Sequence, residues 1–217
     1  MKSFISIAID GGAGSGKSTT AHNISSKFNF LNVDTGSHYR SITAYLIKHN
    51  ISEIVASKPE NLNKITLSSK IISNKSQIQI NGLSFSHSEL RSKEINLNVS
   101  RYSSIAAIRS TLFDYQKSQC ELARQNNFTG IVMEGRDIGT IILPDADLKL
   151  FLFAKEHVRN QRRKEDGESD LIQKRDLLDS TRTIAPLSET KDSIKIDTSK
   201  LSPSEVVTQI SQLIESL

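Results

Sequence analysis

The chain has 217 residues, enough for one substantial core, and its hydrophobic content of 36% is low for a globular protein but too high for a disordered tail. The net charge of +4 suits an anionic ligand and is too small and scattered to predict binding of DNA or RNA. The single cysteine, Cys120, excludes an internal disulfide and is expected to be a quiet thiol. No charged-then-apolar leader and no apolar run of about 18 residues is present, so we expect a cytoplasmic protein with no membrane partner.

The first predicted element is a buried strand, residues 4–9, that runs into a glycine-rich turn and then a helix over residues 19–28. The turn reads G-x-x-x-x-G-K-S, in which backbone N–H groups, the Lys17 charge and the Ser18 hydroxyl can surround phosphates and Mg²⁺. The N-terminal end of the helix, which is the positive end of its dipole, would face the same phosphates. An ordinary glycine-rich turn is the alternative, but it leaves the lysine and the adjacent hydroxyl residues unexplained.

A second strand, residues 31–33, ends at Asp34-Thr-Gly36, and a helix is predicted over residues 37–49. Arg40 lies one helical turn after the glycine. Its planar guanidinium could reach back to the strand end and bind a second phosphate. The alternative is that Arg40 belongs to a solvated helix face.

Residues 67–86 have a different sequence pattern: apolar and polar residues alternate there, and Asn81-Gly82 is a hairpin turn signal. This pattern predicts a small antiparallel sheet inserted in an otherwise α/β chain. Helical patterns follow over residues 88–98 and 104–125.

The next strand, residues 130–133, ends at Glu134-Gly-Arg136-Asp137, which places two acids and an arginine around a glycine. Such a cluster indicates either a functional site or a structural salt bridge. A further strand over residues 148–153 and a basic helix over residues 156–164 come after it.

The charged stretch 165–183 has few apolar anchors, and its i, i+4, i+7 spacing places Arg175, Asp179 and Arg182 on one helical face. An exposed, salt-bridged helix and a lid that closes over a phosphate are both consistent with this pattern. A last strand, residues 193–197, and a closing helix, residues 204–217, complete the chain.

Strands that alternate with helices predict a parallel sheet covered on both faces, with ligands bound beyond the carboxyl ends of the strands. Asp10-Gly, Asp34-Thr-Gly, Glu134-Gly-Arg-Asp and Asp197-Thr all fall at such ends. We therefore expect the functional side chains to converge at one edge of the sheet.

In this order, the motifs resemble those of bacterial cytidylate kinases: the loop 11–19, Asp34-Thr-Gly with Tyr39-Arg40, Ile108-Arg109, G-R-D-x-G-T at 135–140, Arg162-Arg163, R-D-x-x-D-x-x-R at 175–182, and Ala185-Pro-Leu187. The resemblance spans roughly residues 5–198. It implies an adenylate-kinase-like P-loop kinase fold in a single domain, residues 1–217. Within it, residues 37–107 would form a monophosphate-binding lobe, with an insert at about 67–86, and residues 159–183 a short lid.

The resemblance also implies transfer of the γ-phosphoryl group of ATP to CMP or dCMP, with Mg²⁺ as cofactor and a monomeric enzyme. Residues implied to hold the ATP phosphates are Gly11, Gly12, Ala13, Gly14, Ser15, Gly16, Lys17, Ser18 and Thr19, with Ser18 on the metal. Residues implied at the lid base near ATP are Arg159, Arg162 and Arg163. Residues implied to bind the acceptor are Thr35, Arg40, Ser100, Arg109, Arg136, Asp137, Arg175, Asp179 and Arg182. Lys17, Arg136 and Arg182 would be catalytic.

The sequence departs from the family pattern in three places. The segment between Arg163 and Arg175 is shorter than usual, Ser37-His38 replaces small and apolar residues, and Glu134 stands where a shorter acid is common. Two rival functions remain at this point: another small-molecule kinase of the same fold, and an ATP-binding P-loop protein that transfers no phosphate.

Overall fold

The computed structural model describes residues 4–165, 167 and 172–217, with the side chains of 172–175 left out. Within these ranges the strands are β1 (Ile5–Gly11), β2 (Phe30–Asp34), β3 (Leu67–Ile72), β4 (Lys75–Ile80), β5 (Gly130–Gly135), β6 (Leu148–Phe153) and β7 (Ile194–Asp197). The helices are α1 (Lys17–Phe28), α2 (Thr35–Lys48), α3 (Glu53–Ala56), α4 (His87–Leu90), α5 (Lys93–Ser103), α6 (Ala106–Gln125), α7 (Glu156–Glu165), α8 (Ile172–Thr181) and α9 (Pro203–Glu215).

The strands form one sheet in the order β3-β4-β2-β5-β1-β6-β7, and every pair except β3–β4 is parallel. The predicted α/β architecture is therefore confirmed. The carboxyl ends of β1, β2 and β5 are adjacent, since these strands are neighbours in the sheet. This edge is where open parallel sheets bind ligands.

Both faces of the sheet are covered, which explains why the central strands are apolar nearly throughout. Ile7 and Ile9 of β1 face a core shared with α1 and α9, whereas Ala8 faces a core shared with α6. A third core joins α2, α5 and α6 to β4. That third core builds the lobe that flanks the carboxyl edge next to β2.

The predicted antiparallel insert exists, but it is an edge of the main sheet because β4 pairs in parallel with β2 at Asn32↔Lys75 and Val33↔Ser76. The turn of this hairpin lies after Ile72, where Ser73 has a φ of 56°. The predicted turn at Asn81-Gly82 also forms, but it closes a single bridge between Ile80 and Leu83 and no second strand follows.

The helix predicted over residues 88–98 is divided into α4 and α5 because two serines each begin a helix. The Ser86 hydroxyl accepts from the Glu89 N–H in a capping box, and the Ser92 hydroxyl accepts from the Ile95 N–H. The other predicted helices are present with shifted ends. Throughout the described ranges, each helix is too short or too polar to cross a bilayer.

Candidate active site

The glycine-rich loop connects β1 to α1 as predicted, and a hydrogen bond between two of its own residues stabilises its shape. The Lys17 Nζ donates to the Gly12 carbonyl oxygen at 2.8 Å. Gly14 has a φ of +71°, and a Cβ there would lie 2.9 Å from the carbonyl oxygen of Arg159. A side chain at this position would therefore be strained and would displace α7.

Two of the predicted lid-base arginines hold this loop through its carbonyl groups. Arg159 Nη1 donates to the Ala13 oxygen at 3.1 Å, and Arg162 Nη1 donates to the Gly14 oxygen at 3.3 Å. These contacts bring α7 to the loop, although the two segments are far apart in the sequence.

A cavity of about 400 Å³ lies beside the loop, and we call it the donor cavity. It is lined by residues 14–20, Arg91, Arg162, Arg163, Glu165, Thr198, Leu201, Pro203 and Val206. Thr198 follows β7, and its hydroxyl lies 3.0 Å from both the Ser15 carbonyl oxygen and Arg162 Nη1. Sequence reasoning placed Thr198 at a strand end but did not assign it to the site.

Charged and polar groups meet where the loop contacts the end of β5. The Ser18 hydroxyl donates to Glu134 Oε2 at 2.8 Å. Burial lowers the pKa of Lys17 and raises the pKa of Glu134, because desolvation disfavours the charged form of each group. Neighbouring Arg136 lowers the pKa of Lys17 further, whereas the carboxylates around it oppose the shift. A bound polyanion would compensate the positive charges collected here.

A second, smaller cavity of about 80 Å³ lies between α2, α5, α8 and the turn after β5; we call it the acceptor cavity. It is lined by Thr35, Gly36, Tyr39, Arg40, Val99, Ser100, Ser103, Gly135, Arg136, Asp137, Asp179 and Arg182. The structure therefore brings together seven of the residues predicted for one site: Thr35, Arg40, Ser100, Arg136, Asp137, Asp179 and Arg182.

Ion pairs between distant segments build the acceptor cavity. Arg136 Nε donates to Asp179 Oδ2 at 2.9 Å, which joins the β5 turn to α8. Asp137 is 3% exposed, and its carboxylate pairs with Arg109 and, at 3.5 Å, with Arg182. Arg109 reaches the site through Asp137 and does not line the cavity itself.

Asp10, at the end of β1, fixes the turn that carries Arg136 and Asp137. Its carboxylate accepts from the backbone N–H groups of Ile138 at 2.8 Å and Gly139 at 2.7 Å. Burial raises the pKa of Asp10 to about 6 in spite of these hydrogen bonds. The strand-end position marked Asp10 in the sequence, but nothing local indicated partners 128 and 129 residues away.

Helix α8 also contacts the donor side. Asp176 pairs with Arg159 and accepts from the Ala13 N–H at 3.3 Å. Sequence reasoning noted Asp176 in the R-D motif without giving it a role. The side chain of Arg175, predicted to hold the sugar, lies outside the described residues.

Two groups outside the cavities stand out chemically. His38 is fully buried on α2, neither ring nitrogen has a hydrogen-bond partner among the described residues, and burial lowers its pKa to about 4. Its ring packs edge-on against Tyr115 with centroids 5.2 Å apart. Cys120 is half-buried on α6, where burial raises the pKa of its thiol, as expected of an unreactive cysteine.

A glycine-rich loop at the carboxyl edge of a parallel sheet, beside a second cationic cavity covered by a charged helix, defines a small-molecule kinase of the P-loop class. The chain belongs to the cytidylate kinase family, whose sequence profile matches residues 7–216.

Relatives of nearly equal length share this family. The chain is 40% identical to a cytidylate kinase of Clostridium tetani, over 97% of this chain and 93% of the other. It is 39% identical to a cytidylate kinase of Clostridium botulinum strain Langeland, over 97% and 98% respectively. An uncharacterised protein from Eubacterium ventriosum of known crystal structure has a TM-score of 0.50 and 15% identity over 98% of this chain and 99% of the other, which supports the fold alone.

Proposed function

We propose that the protein transfers the γ-phosphoryl group of ATP to CMP or dCMP, giving ADP and CDP or dCDP. The observation that supports this most is the convergence of Arg40, Arg136 and Arg182, from separate segments, on one cavity beside the loop. Phosphoryl transfer needs charge neutralisation and in-line positioning more than covalent chemistry. The two cationic cavities would supply both requirements without a nucleophilic side chain.

The loop 11–19 would bind the ATP phosphates through its N–H groups and Lys17, and Arg162 and Arg163 would face the nucleotide from α7. The Ser18 hydroxyl and the Glu134 carboxylate are hard oxygen donors of the kind that Mg²⁺ prefers. When bound, Mg²⁺ would neutralise charge on the β- and γ-phosphate oxygens. No group of three or more His, Cys, Asp or Glu side chains that could hold a metal occurs in the described ranges, so phosphate and water oxygens would complete such a site.

On the acceptor side, Arg40, Arg136 and Arg182 would bind the CMP phosphate, and Arg175 with Asp179 the sugar. Asp137, an acceptor when ionised, would receive a hydrogen bond from the cytosine amino group. Ser100 would donate to the ring nitrogen or carbonyl oxygen of the base, and Arg109 would take part in base recognition by holding the Asp137 carboxylate. Uracil presents a carbonyl where cytosine presents the amino group, so the same carboxylate would repel UMP.

The contacts of α8 with the loop and with the β5 turn support a lid that excludes water during transfer. Water would otherwise accept the phosphoryl group. We further propose that the enzyme acts as a cytoplasmic monomer on free nucleotides, with no nucleic-acid partner.

The test is product formation by purified protein with ATP and Mg²⁺ and a panel of CMP, dCMP, UMP, AMP and GMP, read by chromatography. We expect CDP and dCDP to form fastest, and Lys17→Ala protein from the same purification gives the background rate. Faster use of AMP or GMP would identify another nucleotide kinase. Absence of any phosphorylated product would favour a binding protein.

A further inference from the structure

The guanidinium of Arg40 is held by two groups, one from α4 and one from α5. Its Nη1 donates both to the carbonyl oxygen of Leu90, at 2.6 Å, and to the side-chain Oδ1 of Asn96, at 2.7 Å. Arg40 is only 5% exposed and lines the acceptor cavity. An arginine side chain has several rotatable bonds, so these two contacts restrict how its guanidinium can face the cavity.

The chemistry of these two acceptors suits a phosphate-binding arginine. A backbone carbonyl and a carboxamide are both neutral, so the bonds orient the guanidinium without cancelling its charge. These two bonds therefore add no negative charge beside the guanidinium that would oppose a bound anion.

Asn96 has a second hydrogen bond that fixes the carboxamide itself. Its Nδ2 donates to the carbonyl oxygen of Arg91 at 2.9 Å. Because a carboxamide has one acceptor end and one donor end, this bond directs Oδ1 toward Arg40. The chain after α4 thus holds Asn96, and Asn96 in turn holds Arg40.

We propose that Asn96 is a positioning residue for the acceptor phosphate: its neutral carboxamide orients Arg40 toward the cavity. This inference rests on the proposed function, in which Arg40 binds the CMP phosphate. Asn96 does not line the acceptor cavity, so it acts through Arg40.

The experiment compares binding of CMP with binding of cytidine, which has the same base and sugar but no phosphate. Asn96→Ala should weaken CMP by about one to two orders of magnitude, the scale of one lost hydrogen bond to a charged group. Cytidine affinity should change less than about twofold, because no phosphate contact is involved. Calorimetry without ATP gives both affinities.

Asn98 offers a matched control on the same helix. It is also half-buried, its Nδ2 donates to the Glu94 carbonyl oxygen at 2.8 Å and its Oδ1 accepts from Arg101, away from the cavity. Asn98→Ala should leave CMP binding unchanged. Asn96→Asp, which keeps an acceptor but adds negative charge beside Arg40, should also weaken CMP and spare cytidine.

A double mutant separates positioning from a general loss of structure. In an Arg40→Ala background, Asn96→Ala should have no further effect on CMP affinity, because the group it positions is gone. Equal weakening of CMP and cytidine, full additivity, or unchanged CMP binding in Asn96→Ala would overturn the proposal. If Arg40→Ala itself leaves CMP binding unchanged, the proposed acceptor site is wrong as well.

Discussion

The donor and acceptor cavities are adjacent but are constructed differently. The loop is closed by contacts within one continuous segment, such as Lys17 to Gly12, and by carbonyl groups that accept from α7. The acceptor cavity is assembled from side-chain ion pairs that join α6, the β5 turn and α8. The donor side is thus held largely through backbone carbonyl groups of the loop, whereas the acceptor side is held by ion pairs between side chains.

The largest effect is expected from the charge at the centre of the donor side. Lys17→Ala should raise the activation barrier by about 3 to 4 kcal/mol, the scale of removing a preorganised charge stabiliser. Its melting temperature should hardly change, because burial already disfavours the charged form of Lys17. Lys27→Ala on the same helix is the control, because that side chain is half exposed and makes a surface ion pair with Glu215 at 3.9 Å. Near-normal kcat in Lys17→Ala would show that the loop does not bind the transferring phosphates.

The backbone character of the donor side can be tested with two glycines. Gly14 and Gly82 both have positive φ, at +71° and +77°, but only at Gly14 would a Cβ meet other atoms. Gly82→Ala should cost about 1 to 2 kcal/mol of unfolding free energy, from backbone strain alone. Gly14→Ala should cost more and should also raise KM for ATP. Urea unfolding and kinetics measure the two effects, and equal behaviour of the two variants would mean that loop shape does not govern ATP binding.

The acceptor side should fail selectively when its base-facing carboxylate is changed. Asp137→Asn can rotate its amide to donate, so the ratio of kcat/KM for CMP to that for UMP should fall at least about tenfold. Asp179→Asn is the matched control, because Asp179 pairs with Arg136 rather than with the base site; it should slow both nucleotides and preserve their ratio. An unchanged ratio in Asp137→Asn would assign Asp137 a purely structural role with Arg109 and Arg182.

A further effect concerns the stability of the folded protein and depends on pH. The pKa of His38 is lowered from 6.5 to about 4, so the unfolded chain takes up a proton that the folded protein excludes. Stability from this group is complete above pH 6.5 and declines as pH falls toward 4. Between pH 7 and pH 5 the loss should be about 2 kcal/mol.

His38→Gln should remove that part of the acid sensitivity, which denaturant titrations at both pH values would show. His22→Gln, at an exposed histidine on α1, is the control and should retain it. If His38→Gln keeps the full pH dependence, the buried imidazole is not its source.

The sequence predicted the strand, loop and helix of the donor side because their pattern is local. Loop, lysine and hydroxyl residues are consecutive, and strand and helix flank them. The i, i+4, i+7 spacing also placed Asp179 and Arg182 on one helical face; in the structure Asp179 lies on α8, Arg182 directly follows its end, and both line the acceptor cavity. Their roles in binding remain predictions.

Contacts between distant segments could not be predicted in this way. Asp10 holds a turn 128 residues later, Thr198 meets the loop 183 residues earlier, and Asn96 meets Arg40 across 56 residues. Each residue type is ordinary at its position, and only folding reveals its partner. The separation of α4 from α5 was missed because of a local ambiguity: a serine can either begin a helix or lie within one.

The way β4 joins the sheet has a consequence for how the molecule opens. β4 pairs with β3 from Lys75 to Ile80 but with β2 only at Lys75 and Ser76. Because β4 has two residue pairs with β2 and six with β3, we expect the β3–β4 hairpin to open as a cooperative unit separate from the rest of the sheet. Hydrogen–deuterium exchange should therefore show the amides of the β3–β4 hairpin exchanging as a group, at a lower opening free energy than the amides of β1 and β5. The hairpin would then detach from the core while the hairpin and the core each remain folded.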